Sequence, residues 1–184
     1  DWIFKKAIQQ QILFKQKGID IKISINLSPK QLLIDDFAEH FLQFMKEAGV
    51  NFSSIDVEVT ENLFLQHNNK NMEVLNTLHA EGISISLDDF GTGYSSLSYL
   101  KDFPIDYLKI DKTFMDDFDQ ERGRIFIETI VKMGQTLNMK VIAEGVETQE
   151  QLEYLKNINC DQYQGYFCSK PMNVKDFEDF YLKS

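Results

Sequence analysis

The chain has 184 residues, 43% hydrophobic and 26% charged, with a formal net charge of −10 at pH 7. That length suits one sizeable core rather than two domains, and no apolar run approaches the roughly 20 residues a bilayer span needs. The acidic balance argues against a DNA or RNA polymer as partner, which needs a basic footprint; a small phosphate ligand stays open, because divalent ions reverse a local field.

In chain order, a first helix is marked by Trp2, Ile3, Ala7, Ile8, Ile12 and Leu13 at helical spacing, stopped by Gly18. Six strands are predicted at residues 21–27, 55–61, 83–89, 107–111, 140–145 and 161–167. Amphipathic helices are predicted between and after them at 30–48, 67–81, 122–138, 148–157 and 174–182, with at most one short helix in the loop-rich stretch 91–103. Phe37, Phe41, Phe44, Phe177 and Phe180 read as helix packing, and His40, His67 and His79 fall on helices, away from strand ends. Cys160 and Cys168 flank the last strand. Eight extended residues span about 26 Å, too far for one bridge, so free thiols in a reducing cytoplasm are expected.

Strand alternating with helix implies a parallel sheet wound one way. Each strand ends on polar groups: Asn26; Glu58 and Glu61; Asp88 and Asp89; Lys109 and Asp111; Glu144 and Glu147; Gln164. Functional groups at the same end of six consecutive strands favour a (β/α)8 barrel with its site on the carboxyl rim, here incomplete at about six of eight units. A doubly wound sheet would gather them at one switch point instead. The most informative stretch is residues 87–111, where an apolar strand runs into Asp88 and Asp89, a loop bracketed by Gly91 and Gly93 follows, and the next strand closes on Lys109 and Asp111. Charges at the ends of buried strands cost folding free energy unless something occupies them, which points to a metal-and-phosphate site.

Plainer roles stand beside these. Asp88 and Asp89 suit a turn or helix cap, and Glu58 would face solvent by simple alternation. Lys109 and Asp111 share a strand face and suit a salt bridge with each other; Glu144 and Glu147 suit the acidic first turn of a helix. Asn26 suits an N-cap, though Ser28 before Pro29 fits that place better.

The chain resembles the EAL-type cyclic di-GMP phosphodiesterase domain, a bacterial (β/α)8 family. Six dispersed segments in order carry the likeness: NLSPKQL from Asn26, VEVTEN from Val57, LDDFGTGYSSLSYL from Leu87, YLKIDKTFM from Tyr107, VIAEGVET from Val141 and CDQYQGYFCSKPM from Cys160. The resemblance implies that residues 1–184 are the C-terminal three-quarters of one such domain, without the upstream Glu-Ala-Leu strand whose glutamate ligates metal. It implies two Mg2+ or Mn2+ ions: Asn26, Glu58 and Asp88 as ligands of the first, Asp88 and Asp89 on the second, and Glu144 as second-site ligand or general base. Lys109 would contact water or phosphate, Asp111 would support it, Glu147 and Gln164 would line the substrate site, and Glu61 would anchor the loop at 91–96.

The implied reaction opens one phosphodiester of cyclic di-GMP to linear pGpG. The implied setting is cytoplasmic, as a homodimer beneath upstream regulatory domains. The other function class is a non-catalytic cyclic di-GMP receptor or interaction domain. A barrel short of two strands exposes edges near residues 21–27 and 161–167, so this chain alone is expected to self-associate and to hydrolyse poorly.

Overall fold

The computed structural model describes residues 2–61, 63, 69–91 and 99–183. Helix α1 (Trp2–Gln16) turns Phe4, Ile8, Gln11 and Phe14 inward. It ends at Gly18, whose φ of +74° is a left-handed conformation that glycine takes without a Cβ clash. Six strands follow: β1 (Ile23–Asn26), β2 (Ile55–Thr60), β3 (Ser84–Phe90), β4 (Tyr107–Ile110), β5 (Lys140–Glu144) and β6 (Gln162–Gln164). Helices α2 (Pro29–Leu32) and α3 (Phe37–Glu47) follow β1, and α4 (Asn69–Ala80) follows β2. Helices α5 (Lys112–Asp116) and α6 (Glu121–Thr136) follow β4, α7 (Gln149–Asn157) follows β5, and α8 (Val174–Tyr181) follows β6.

All neighbouring strands are parallel and lie in sequence order, β1 to β6. Order that never reverses is the winding of a barrel, so the sheet is six strands' worth of a (β/α)8 barrel, open between β1 and β6. Strand alternation separates its two faces. Val57 and Val59, Ile85 and Leu87, Leu108 and Ile110, and Val141 and Ala143 are fully buried in one core with Leu75 and Leu78 of α4 and Ile127 and Val131 of α6. Each such aliphatic stabilises the fold by about 1.5–3 kcal/mol. The alternating positions form the other, polar face: Asp56 and Glu58, Ser86 and Asp88, Tyr107 and Lys109, Ile142 and Glu144.

Three boundaries depart from the sequence reading. The helix predicted over 30–48 is two helices, broken by a turn in which Asp36 has φ +56°. Leu32 and Phe37 are both buried, and five positions along one helix would set them about 140° apart; the break lets both face the core. Helix α5 is additional, started by Asp111, whose Oδ1 accepts from Thr113 N at 2.9 Å. Strand β6 is three residues, not seven, because the chain turns at Gly165 to pack on Val146.

A short 3-10 turn (Tyr99–Lys101) supplies the helix expected in the stretch 91–103, whereas Gly93 and His67 lie outside the described residues. His40 and His79 sit on α3 and α4. Phe37 and Phe41 are buried against Phe4, and Phe177 meets Phe14 at 5.4 Å, but Phe180 is 43% exposed. Both cysteines are free thiols. No described helix is long and apolar enough to cross a membrane.

Candidate active site

Lys109 organises the polar face of the sheet. Its side chain is 6% exposed, and its Nζ lies 2.9 Å from Glu58 Oε1, 2.8 Å from Asp88 Oδ1 and 2.8 Å from Glu144 Oε1. An ammonium has three hydrogens, and each meets one carboxylate. The carboxylates come from β3 and β5, which flank β4 in the sheet, and from β2, the next strand beyond β3, so nearby strand ends deliver them to one point. The plainer reading of Lys109 is therefore corrected: its partners are these three groups, while Asp111 caps α5. Glu58 is likewise not a solvent-facing residue, its side chain being 13% exposed.

Asp88 and Asp89 share the site through a bulge. Adjacent strand residues normally point to opposite faces, yet Leu87 and Phe90 are both in the core with two aspartates between them. The β3–β4 register shifts between Leu87 and Phe90, and Asp89 adopts φ +55°, which takes up the extra residue. The Leu-Asp-Asp-Phe spacing, with core residues three apart on a strand, was the sequence signal for that bulge.

The other rim residues fall where strand ends place them. Asn26 is the Cα partner of Glu58 across β1–β2, and Gln164 that of Glu144 across β5–β6. Ser28, not Asn26, caps α2: Pro29 follows it, and Gln31 Oε1 accepts from Ser28 N at 3.0 Å. Asn26 thus remains exposed at the rim. Glu147 precedes the capping Thr148 of α7 and lies 3.4 Å from Lys112 Nζ, so it is not part of a helical acidic turn. Glu144 belongs to β5 itself. Glu61 is buried just past β2; of the loop it was expected to anchor, residues 92–96 lie outside the described residues.

Electrostatically the cluster is short of positive charge. One ammonium faces three carboxylates, and Asp89 and Asp111 stand near enough to act on one another. Burial pushes the pKa of Glu58 and of Glu144 above the usual carboxylate range, against the opposing pull of Lys109. Asp89 is raised first by burial and then by Asp88 and Asp111. Lys109 shows the converse: burial works against its charge, but hydrogen bonds to Asp88, Glu144 and Glu58 prevail and hold its pKa above the ordinary lysine value.

Hard oxygen donors in excess of local positive charge are a fitting donor set for Mg2+ or Mn2+. Among the described residues no three acidic, histidine or cysteine side chains are already drawn together as a metal cage; Glu58, Asp88 and Glu144 lean on Lys109 instead.

Comparison with known proteins identifies relatives of this chain. The EAL domain family model matches residues 1–171. Signaling protein YkoW of Bacillus subtilis is 40% identical over 183 residues, covering 99% of this chain and 23% of its own length. Cyclic di-GMP phosphodiesterase PdeR of Escherichia coli is 34% identical, covering 99% and 28% respectively. The chain thus spans about a quarter of the length of these curated relatives. Among solved structures, the phosphodiesterase PaMucR in complex with c-di-GMP superposes with a TM-score of 0.89 at 35% identity, over 96% of this chain and 72% of that one. The manganese and cyclic di-GMP complex of Klebsiella pneumoniae BlrP1 gives 0.80 at 27% identity, over 92% and 44%.

Proposed function

This chain belongs to the EAL domain family, and on that premise we propose that its strand rim hydrolyses one phosphodiester bond of cyclic di-GMP, giving linear pGpG in bacterial second-messenger signalling. The observation that carries the reading is the meeting of Glu58, Asp88 and Glu144, from three strands, at one buried ammonium. Asn26, Glu58 and Asp88 are the residues to hold a first divalent ion, and Asp88, Asp89 and Glu144 those to hold a second. When bound, two Mg2+ or Mn2+ ions supply an acidified water and a clamp on the attacking and leaving oxygens.

The chain's own groups do the rest. Glu144, where it does not hold the second ion, accepts the proton of the attacking water as general base. Lys109 spends all three hydrogens on carboxylates here; were those oxygens held by a divalent ion, one hydrogen would be left for the phosphate, where charge gathers in the transition state. Asp111 supports Lys109 from two residues on by fixing the start of α5. Glu147 and Gln164 line the place for the substrate, and Glu61 anchors the segment at 91–96. For the whole protein the same reading takes in upstream regulatory domains, for which relatives several times longer leave room, together with a cytoplasmic setting and a homodimer.

For these 184 residues alone the reading is slow turnover, since the sheet is open and no Glu-Ala-Leu strand contributes its carboxylate. A non-catalytic receptor is the second reading, favoured by one observation: Lys109 already satisfies the carboxylates that a metal would claim. Incubation with cyclic di-GMP and Mn2+, followed by chromatography, separates the two. Formation of pGpG that stops with chelator supports the enzyme. Dinucleotide that is bound yet recovered intact supports the receptor.

A further inference from the structure

One pleat below the rim lies a second polar layer that the proposed chemistry does not use. Ser24 sits two residues before Asn26 on β1, Asp56 two before Glu58 on β2, and Ser86 two before Asp88 on β3, each on the face of its upper neighbour. Asp56 is 2% exposed. Ser86 Oγ lies 2.8 Å from both of its carboxylate oxygens, and Ser24 on β1 is its Cα partner on the other side. These three residues, with Tyr107 and Gln162 among others, line a cavity of about 200 Å³.

A carboxylate at this depth costs folding free energy, and an apolar side chain would fill the place more cheaply. Its bonds to Ser86 run across the strands rather than along them, so what it does is tie β2 to β3. The pairing of β3 with β4 slips after Leu87, whereas its pairing with β2 runs on to Thr60 opposite Asp88. Asp88 therefore depends on β2 for its position.

We propose that Asp56 is a positioning residue. Through Ser86 it sets the spacing of β2 and β3, whose ends carry Glu58 and Asp88, and so fixes the cluster around Lys109 and its affinity for a divalent ion. The inference rests on the metal-site reading above for its functional consequence, but the geometry it claims is independent of any metal.

Two readouts on the 184-residue chain test it. The first, without metal, is the side-chain ammonium signal of Lys109 in nitrogen–proton NMR, visible when the three hydrogens exchange slowly in their carboxylate cage. The second is Mn2+ affinity from electron paramagnetic resonance. Asp56→Ala is expected to erase the ammonium signal and to weaken Mn2+ binding by about tenfold or more, as loss of a ligand's supporting partner does. Asp56→Asn keeps an acceptor oxygen for the Ser86 hydroxyl and is expected to restore both.

Ser86→Ala cuts the same tie from the other side and is expected to weaken both, so the proposal is decided even if Asp56→Ala does not fold. Unchanged ammonium signal and Mn2+ affinity in Asp56→Ala or Ser86→Ala overturns the proposal. So does Asp56→Asn behaving as badly as a folded Asp56→Ala, because charge rather than the tie would then matter. A wild-type chain that shows the ammonium signal yet binds no Mn2+ contradicts the proposed function instead, and the ammonium signal alone then decides the role of Asp56.

Discussion

At the residue scale the account turns on Lys109, which makes three half-buried carboxylates tolerable to the fold. Removing one partner of a buried ion cluster leaves the others uncompensated, typically at about 3–5 kcal/mol. Lys109→Met should therefore lower the stability of the metal-free chain by about 3 kcal/mol in urea denaturation, a loss that added Mn2+ partly offsets. A metal-free variant as stable as wild type would show that the cluster is not strained. The same carboxylates give a pH dependence of fixed sign. Glu58 and Glu144 have folded pKa values raised above their unfolded ones, so in that window the folded chain binds more protons. Stability from these groups falls as pH rises from the ordinary carboxylate range through the raised values. Against a Glu58→Gln, Glu144→Gln double variant, metal-free wild type should thus gain in relative stability as pH is lowered toward 5; the opposite slope would refute the burial argument. Sequence alone revealed which residues end each strand. It did not reveal that Lys109 pairs across three strands rather than with Asp111, because that depends on the register of strands distant in sequence.

At the element scale, alternation and helix spacing located all six strands and most helices, and the failures have local physical causes. The helix over 30–48 breaks because two core residues five apart cannot share a face, a conflict visible only once both are known to be buried. Asp89 needed a bulge that strict alternation denies, although the Leu87–Phe90 spacing hinted at it. The shortening of β6 follows from the packing of Gly165 on Val146: a Cβ there would lie 2.1 Å from Val146 O and 2.3 Å from Val146 N. These are backbone atoms held by Val146 N–Gln164 O and Phe167 N–Val146 O bonds of 3.1 and 3.0 Å, so nothing yields cheaply. Gly165→Ala should lower the melting temperature by the equivalent of about 1–3 kcal/mol and loosen the rim around Gln164. Calorimetry showing an unchanged melting temperature would mean that the β5–β6 junction shifts freely.

At the scale of the whole molecule, sequential strand order was legible because every strand ended in a functional group, the mark of a rim rather than of a switch point. The openness of the sheet has a consequence of its own. Strands β1 and β6 are each paired on one side only among the described residues, and an apolar groove bounded by Phe14, Ile23, Met172 and Phe177 lies between them. Unpaired strand edges beside apolar surface recruit other chains. Sedimentation of the 184-residue chain should show average mass rising with concentration above the 21.5 kDa of one chain; a constant monomer mass would show that the edges are protected. The central claim is that a metal-dependent reaction takes place where Glu58, Asp88 and Glu144 meet. Its most direct test is the rate of pGpG formation from cyclic di-GMP against free Mn2+ concentration, in wild type and in Asp88→Asn. The account predicts a slow but saturable Mn2+ requirement in wild type, with at least a hundredfold loss in the variant, about 3 kcal/mol of transition-state stabilisation. A wild-type rate indifferent to Mn2+, or one that Asp88→Asn leaves unchanged, would contradict it.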